Sequence, residues 1–289
     1  MGRYNLGIAV TVIAIALTPR GAIARDTEAL TIIDFPGAFN TRPFTISPSG
    51  DIAGLYTTPD GLFHGFVLDQ GGFTSIDYPN AFFTNVVGMN PAGEMVGWYA
   101  FTQGMFRGYL LSGGIFTPID FPGAITTFAN GINAGGDIVG SYQDASGLFH
   151  GFLLSQGVFT TIDFPGSTLT QAVDINPHGD ILGVYRSADG VFHMFVLSNG
   201  IFTSIDYPGA ASTGASGIGV GINPKGEIVG QYRNAQGGAH GFLIDADGFT
   251  SIDIQGATGT VATGINPQGD IVGRYRDAEG RDHGFLLHR

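Results

Sequence analysis

Five histidines, His64, His150, His193, His240 and His283, recur at one point of a repeating pattern, each followed by Gly-Phe or Met-Phe, and Arg107 fills the same slot in a sixth copy. Imidazole is the commonest metal ligand and the usual acid–base group near neutral pH. A ring of histidines therefore invites a metal centre or a proton-transfer site. Their placement opposes both. Each lies on the third strand-like run of its unit. Strands are ~4.8 Å apart, so these runs sit well over ~10 Å from any common axis. One ion needs its ligands at ~2 Å. The histidines are expected to be scaffold, buried and bonded to backbone or to a neighbouring unit, and no metal is expected.

A second recurring element is an Asp followed by an aromatic, a proline and a small residue. It stands at Asp34 (DFPG), Asp77 (DYPN), Asp120 (DFPG), Asp163 (DFPG), Asp206 (DYPG) and, degraded, Asp253 (DIQG), with spacings of 43, 43, 43, 43 and 47. This Asp is expected to accept backbone N–H groups two residues on and so cap the loop leaving its strand. A third element, Asn-Pro-x-Gly-Asp or close variants, begins at Asn90, Asn176, Asn223 and Asn266. Pro at the second place and Gly at the fourth suit a type I turn followed by a left-handed Gly. A calcium loop needs several converging carboxylates, and each turn carries one.

A repeat protein acquires a specific site where its copies differ. Eight residues after the anchor Asp the copies carry Arg42, Asn85, Phe128, Gln171, Ile218 and Val261, allowing for a four-residue insertion in one of them. Three residues deeper, Thr45 and Asp174 stand where the others have Gly88, Gly131, Gly221 and Gly264. Arg42, Asn85, Phe128, Gln171 and Asp174 are the candidate ligand-binding residues, at the mouth of a central channel. A second loop on the same face gives a polar rim of Arg186, Arg233 and Arg276, with Asp144, Asp189, Asp277 and Glu279 nearby. Trp98, the only Trp, falls in a variable strand-end slot and could stack on a sugar or pack. Glycoside hydrolysis generally needs two carboxylates at defined separation, and only Asp174 is placed for it. No GxSxG, HExxH or glycine-rich phosphate loop occurs in a suitable context. No catalytic residue is assigned, no cofactor is expected, and the activity is expected to be non-enzymatic. The favoured function is a module that binds an extracellular glycan or protein, or a scaffold; a carbohydrate-active hydrolase or lyase acting at the channel mouth is the alternative.

The elements that must hold these residues follow from the period. A fixed repeat in the 40s means a solenoid or a propeller. The fourth copy shows four runs, Gln171–Asn176, Ile181–Tyr185, Val191–Leu197 and Ile201–Asp206, rich in Ile, Val, Phe and Tyr and bounded by turn residues. No long window after the leader has a 3.6 period. ILGVY has no polar face, as expected for strands buried on both sides. Four strands in about 43 residues is the size of a propeller blade. The last copy ends after HGFLLHR without a fourth strand, and ALTIID (Ala29–Asp34) precedes the first DFPG. The expectation is an all-β, six-bladed β-propeller of four-stranded blades over residues 25–289, closed by the N-terminal strand, with no edge left open.

The recurring INPxGDIVGxY, HGFLL and GxFTxIDFPGA segments resemble the bacterial HAF family of extracellular repeats, over nearly all of Ala29–Leu287. The resemblance implies a secreted repeat protein with a propeller fold and carries no established activity. Arg107 in the His slot, Met194 in the Gly slot and the DIQG anchor depart from the pattern.

Residues 1–24 read as a secretory signal: Arg3, a 12-residue apolar core at Leu6–Leu17, and the Ala22-Ile23-Ala24 cleavage site. The core is too short for a stable membrane anchor. Its removal takes two arginines and no acid, so the net charge goes from −12 to −14. That balance disfavours nucleic acid and anionic lipid as partners. With no Cys in the chain, closure and core packing must supply stability in an extracellular or periplasmic setting. A monomer is expected.

Overall fold

In the computed structural model the protein is described over the backbone of residues 20–23 and over residues 30–217 and 219–289. Every described element is a strand. In chain order they are β1 (Arg20–Ile23), β2 (Leu30–Ile33), β3 (Asn40–Ile46), β4 (Ile52–Thr57), β5 (Phe63–Asp69), β6 (Gly72–Ile76), β7 (Phe83–Thr84), β8 (Gly88–Met89), β9 (Met95–Ala100), β10 (Phe106–Ser112) and β11 (Ile115–Ile119). Then come β12 (Thr126–Ile132), β13 (Ile138–Gln143), β14 (Phe149–Ser155), β15 (Val158–Ile162), β16 (Leu169–Ile175), β17 (Ile181–Arg186), β18 (Phe192–Ser198) and β19 (Ile201–Ile205). The last are β20 (Ser212–Thr213), β21 (Gly221–Ile222), β22 (Ile228–Arg233), β23 (Ala239–Asp245), β24 (Gly248–Ile252), β25 (Gly259–Ile265), β26 (Ile271–Arg276) and β27 (Asp282–Leu287).

These strands form a β-propeller arrangement. β12–β15 and β16–β19 are antiparallel four-stranded sheets, and a third four-stranded sheet has the order β2-β27-β26-β25. In it Leu30 lies opposite Leu287 and Ile33 opposite Gly284. A six-stranded sheet holds β20–β24, with β1 running parallel to β24. A nine-stranded sheet holds β3–β11, its two halves meeting at one parallel pair, Phe63 with Phe83. The leader proposed for residues 1–24 falls outside the described residues except for β1.

The repeated glycine of the second strand is explained by what lies over it. Gly54, Gly140, Gly183, Gly230 and Gly273 face Phe66, Phe152, Phe195, Phe242 and Phe285 across the ladder, and each of those rings is fully buried. Gly97 faces Tyr109 in the same way. On its other side the glycine meets the first strand: a Cβ on Gly140 would lie 2.0 Å from Phe128 O and 2.7 Å from the Phe152 ring. Adjacent sheets share their apolar faces, as where Val139 packs with Ala172 and Phe195, and Val272 with Ile33, Ile46 and Phe66.

Two departures from the repeat turn out to be one packing event. Met194 replaces the strand-three glycine and is fully buried between β17 and β22. The inserted loop brings Gly214 (φ +77) so close that a Cβ there would touch Met194 Cγ at 2.9 Å. The longer loop moves backbone aside for a side chain that its siblings lack.

Candidate functional site

The anchor Asp and its aromatic neighbour turn in opposite directions. Asp77, Asp163, Asp206, Asp253 and Asp34 each accept a hydrogen bond from Nδ1 of a histidine in their own sheet, His64, His150, His193, His240 and His283, at 2.6–3.1 Å. Arg107 donates to Asp120 at 2.7 Å in the sixth pair. The aromatic after the Asp stacks instead on the second-strand tyrosine of the next sheet: Phe35 on Tyr56, Phe121 on Tyr142, Phe164 on Tyr185, with centroids 3.6–3.7 Å apart. That tyrosine also lies face to face with the histidine of its sheet, as Tyr142 with His150. The backbone N–H after each anchor Asp donates to a buried threonine six residues on from itself, Phe35 to Thr41 and Phe164 to Thr170.

Two expectations are corrected here. The anchor Asp does not cap its loop; the threonine accepts that N–H and the carboxylate faces the histidine. The histidines are not buried against backbone or a neighbouring unit; their side chains are about a quarter exposed and bonded to a carboxylate of the same sheet. The Asn-initiated turns behave as turn chemistry. Asn176 Oδ1 accepts from the N–H groups of His178 and Asp180, its Nδ2 donates to the Asp180 carboxylate, and Gly179 has φ +84°.

The channel-mouth residues do not converge on one pocket. Asn85 is buried; its Oδ1 accepts from Trp98 N and its carbonyl accepts from Tyr109 Oη. Gln171 is buried and its Oε1 accepts from Gly217 N at 2.9 Å, inside the inserted loop. Phe128 packs edge-on to Trp98 and against Phe106, and Trp98 stacks on Phe83, so Trp98 packs within a ring cluster. Ile218 lies outside the described residues. Asp174 lies deeper, on an axial cavity lined also by Thr45, Asn130, Thr263 and Gly264. Its two oxygens accept from Ile175 N and, in the next sheet, Ile222 N, both at 2.9 Å. The sibling glycines are required by close approach: a Cβ on Gly131 would lie 2.9 Å from Asp174 Cα. Of the rim residues, Arg186 is exposed, Arg233 donates to Gly237 O, and Arg276 joins a cluster with Arg42.

Burial pushes the Asp174 carboxyl up to about 6, against the two backbone donors that favour its ionised form. The folded protein holds this proton more tightly than the unfolded chain. Its contribution is therefore complete below the ordinary carboxylate pKa of 3.8 and lost as pH rises through about 6. Relative to Asp174→Asn, the unmodified protein should gain at most about 3 kcal/mol of stability between pH 7 and pH 4. Urea unfolding of both proteins across that range measures it; parallel pH profiles would contradict the assignment.

Arg42 of β3 donates through Nε to Asp282 Oδ2 at 2.7 Å and places Nη2 at 2.7 Å from the same oxygen. Arg276 donates through Nε to Asp282 Oδ1 at 2.9 Å, and Arg274 Nη1 lies 3.4 Å from Oδ2. The Asp282 side chain is fully enclosed and its N–H donates to Asn40 Oδ1. Beside this group, the Arg281 guanidinium sits 5.3 Å from the Phe39 ring centroid.

The same face carries residues that comparison of the six channel-mouth slots misses. Five residues after the anchor Asp stand Phe39, Phe82 and Ile125, all exposed, where the later copies have Thr168, Ala211 and Thr258. Before the third strand stand Leu62, Met105 and Leu148, again exposed, against Val191, Gly238 and Arg281. Phe101 is 53% and Met105 63% exposed. The large exposed apolar side chains of these slots fall in the first three repeats, and smaller or polar residues fill the slots of the last three. Aligning the copies at every slot, rather than only at the channel, would have found it.

Neither a protein-family model nor a curated protein matches the sequence. Solved structures match in fold. AofleA from Arthrobotrys oligospora has a TM-score of 0.58 at 12% identity, over 90% of this chain and 86% of that one. An Aleuria aurantia lectin mutant in complex with Fucα1-6GlcNAc has a TM-score of 0.57 at 11% identity, over 86% and 91%. The β-propeller domain of the Trilobed protease from Pyrococcus furiosus, described as having an open velcro topology, has a TM-score of 0.52 at 11% identity, over 86% and 95%. The class these define is the β-propeller.

Proposed function

We propose that the chain is a secreted, non-enzymatic binding module of the HAF-repeat type, a monomeric six-bladed propeller closed by its N-terminal strand, which holds a glycan on the face formed by the DFPG loops. The nine-stranded sheet then counts as two blades joined at Phe63 and Phe83, the six-stranded sheet as one blade plus β1, and the pairing of β2 with β27 supports the closure. Cleavage after Ala24 removes β1 and leaves the β24 edge free.

The observation that carries the binding function is the exposed apolar arc of Phe39, Leu62, Phe82, Phe101, Met105 and Ile125, present in the first three repeats and absent from the last three. Large apolar side chains exposed on one face in this number mark an interaction site. Rings such as Phe39, Phe82 and Phe101 offer flat faces to the C–H side of a sugar, and the fold is shared with a lectin crystallised with a fucosylated saccharide. Hydrolysis is disfavoured because both Asp174 oxygens are held by backbone N–H groups and no second carboxylate lines its cavity among the described residues.

A glycan array probed with residues 25–289 tests this. Hits are expected, and Phe82→Ser with Phe101→Ser should abolish them without lowering the melting temperature. Absence of any glycan binding would defeat the proposal. Polysaccharide turnover lost in Asp174→Asn would establish the hydrolase or lyase alternative.

A further inference from the structure

The slot immediately before the strand-three histidine carries Phe63, Phe106, Phe149 and Phe192 in four copies, Ala239 in the fifth and Asp282 in the sixth. Its cross-ladder diagonal partner is Leu55, Trp98, Ser141, Val184, Gln231 and, again only in the sixth, Arg274. Four sibling repeats fold with an apolar ring where this one encloses a carboxylate. Burying charge is expensive unless it is fully paired, so nothing in the scaffold requires the exchange.

The pairing is also unbalanced. Arg42, Arg274 and Arg276 converge on Asp282 alone among the described residues, leaving an excess of two positive charges in a protein of net charge −12. Burial pulls the Arg274 guanidinium below its ordinary value, with Arg42 and Arg276 adding to the depression and Asp282 opposing it. The three side chains remain 30%, 27% and 49% exposed. A guanidinium has five N–H donors in a planar fork, so Asp282 engages only part of the donors in the cluster. The exposed Phe39 ring, covered by Arg281 at 5.3 Å, borders it.

We infer that the junction between β3 and the β26–β27 pair is a carboxylate-binding subsite, in which Arg42, Arg274 and Arg276 hold the carboxylate of an acidic sugar and Phe39 supports its ring. This rests on the glycan-binding function proposed above and names its substrate class as uronate-bearing saccharides. Bidentate guanidinium–carboxylate pairing is the geometry this cluster can offer. Asp282 acts as the internal counter-ion that keeps the arginines aligned when the subsite is empty.

Isothermal titration of the mature protein with a uronic acid trisaccharide, its neutral hexose counterpart, an acidic peptide and inorganic phosphate tests the inference. Uronate binding is expected to fall at least tenfold in Arg276→Gln and Arg42→Gln and severalfold in Phe39→Ala, and to weaken with salt, with neutral-sugar binding unchanged in the two arginine variants. Should Arg42→Gln fail to fold, Arg276→Gln and Phe39→Ala decide, since both side chains are half exposed. Uronate affinity unchanged in Arg276→Gln, or binding of peptide or phosphate alone, would overturn the subsite. Binding of the neutral sugar with no measurable binding of the uronate overturns the subsite and leaves the glycan-binding function standing. No binding of any saccharide removes both.

Discussion

Phe152→Ala should lower the unfolding free energy by about 3–5 kcal/mol, the usual range for deleting a buried ring. Phe152 is fully enclosed, packs with Val96, Ala129 and Tyr142, and lies directly over Gly140. The glycine is its complement. Gly140→Ala should destabilise by a similar amount, because the new Cβ would need to occupy space 2.0 Å from Phe128 O and 2.7 Å from the ring. The double variant separates the two contacts. Removing the ring relieves one clash, but the Phe128 carbonyl belongs to a ladder that cannot retreat, so rescue should be partial. Denaturant titrations of the three variants give the cycle. Simple additivity would mean that ring and glycine are not coupled.

Deleting residues through Ile33 should have a still larger effect. It removes the strand opposite Gly284–Leu287 and with it Ile33, which packs with Ile46, Ile52, Tyr56, Phe66 and Val272. Losing the Ile33 side chain alone is worth about 2–5 kcal/mol, and the bare β27 edge becomes a template for pairing with other molecules. The expected outcome is insoluble or weakly folded protein, whereas a truncation to Leu30 keeps the full unfolding midpoint. Cooperative unfolding at an unchanged midpoint after loss of Leu30–Ile33 would show that the first and last repeats hold together without that strand.

The sequence by itself determined the all-β propeller arrangement. A 43-residue period with four short apolar runs per copy leaves few ways to bury both faces of each strand. It also identified the Asn-initiated turns, since the interactions of Asn176 span only four residues. It did not determine the partners of recurring residues more distant in the chain. The anchor Asp and the histidine are 13 residues apart and meet because the third and fourth strands pair, whereas His283 and Asp34 are 249 apart and meet in the same way. Periodicity says that both recur and not that they touch. The candidate site was less legible still. Asn85, Gln171 and Asp174 vary between copies as a ligand site would, yet each is held by backbone groups that only the packed sheets bring near. Arg42 and Asp282 are 240 residues apart, and their meeting depends on how the first repeat seats against the last. Spacing along a chain fixes which residues can share a strand face; which charges share an enclosed space is fixed by the tertiary structure, because burial is a property of the packed sheets together.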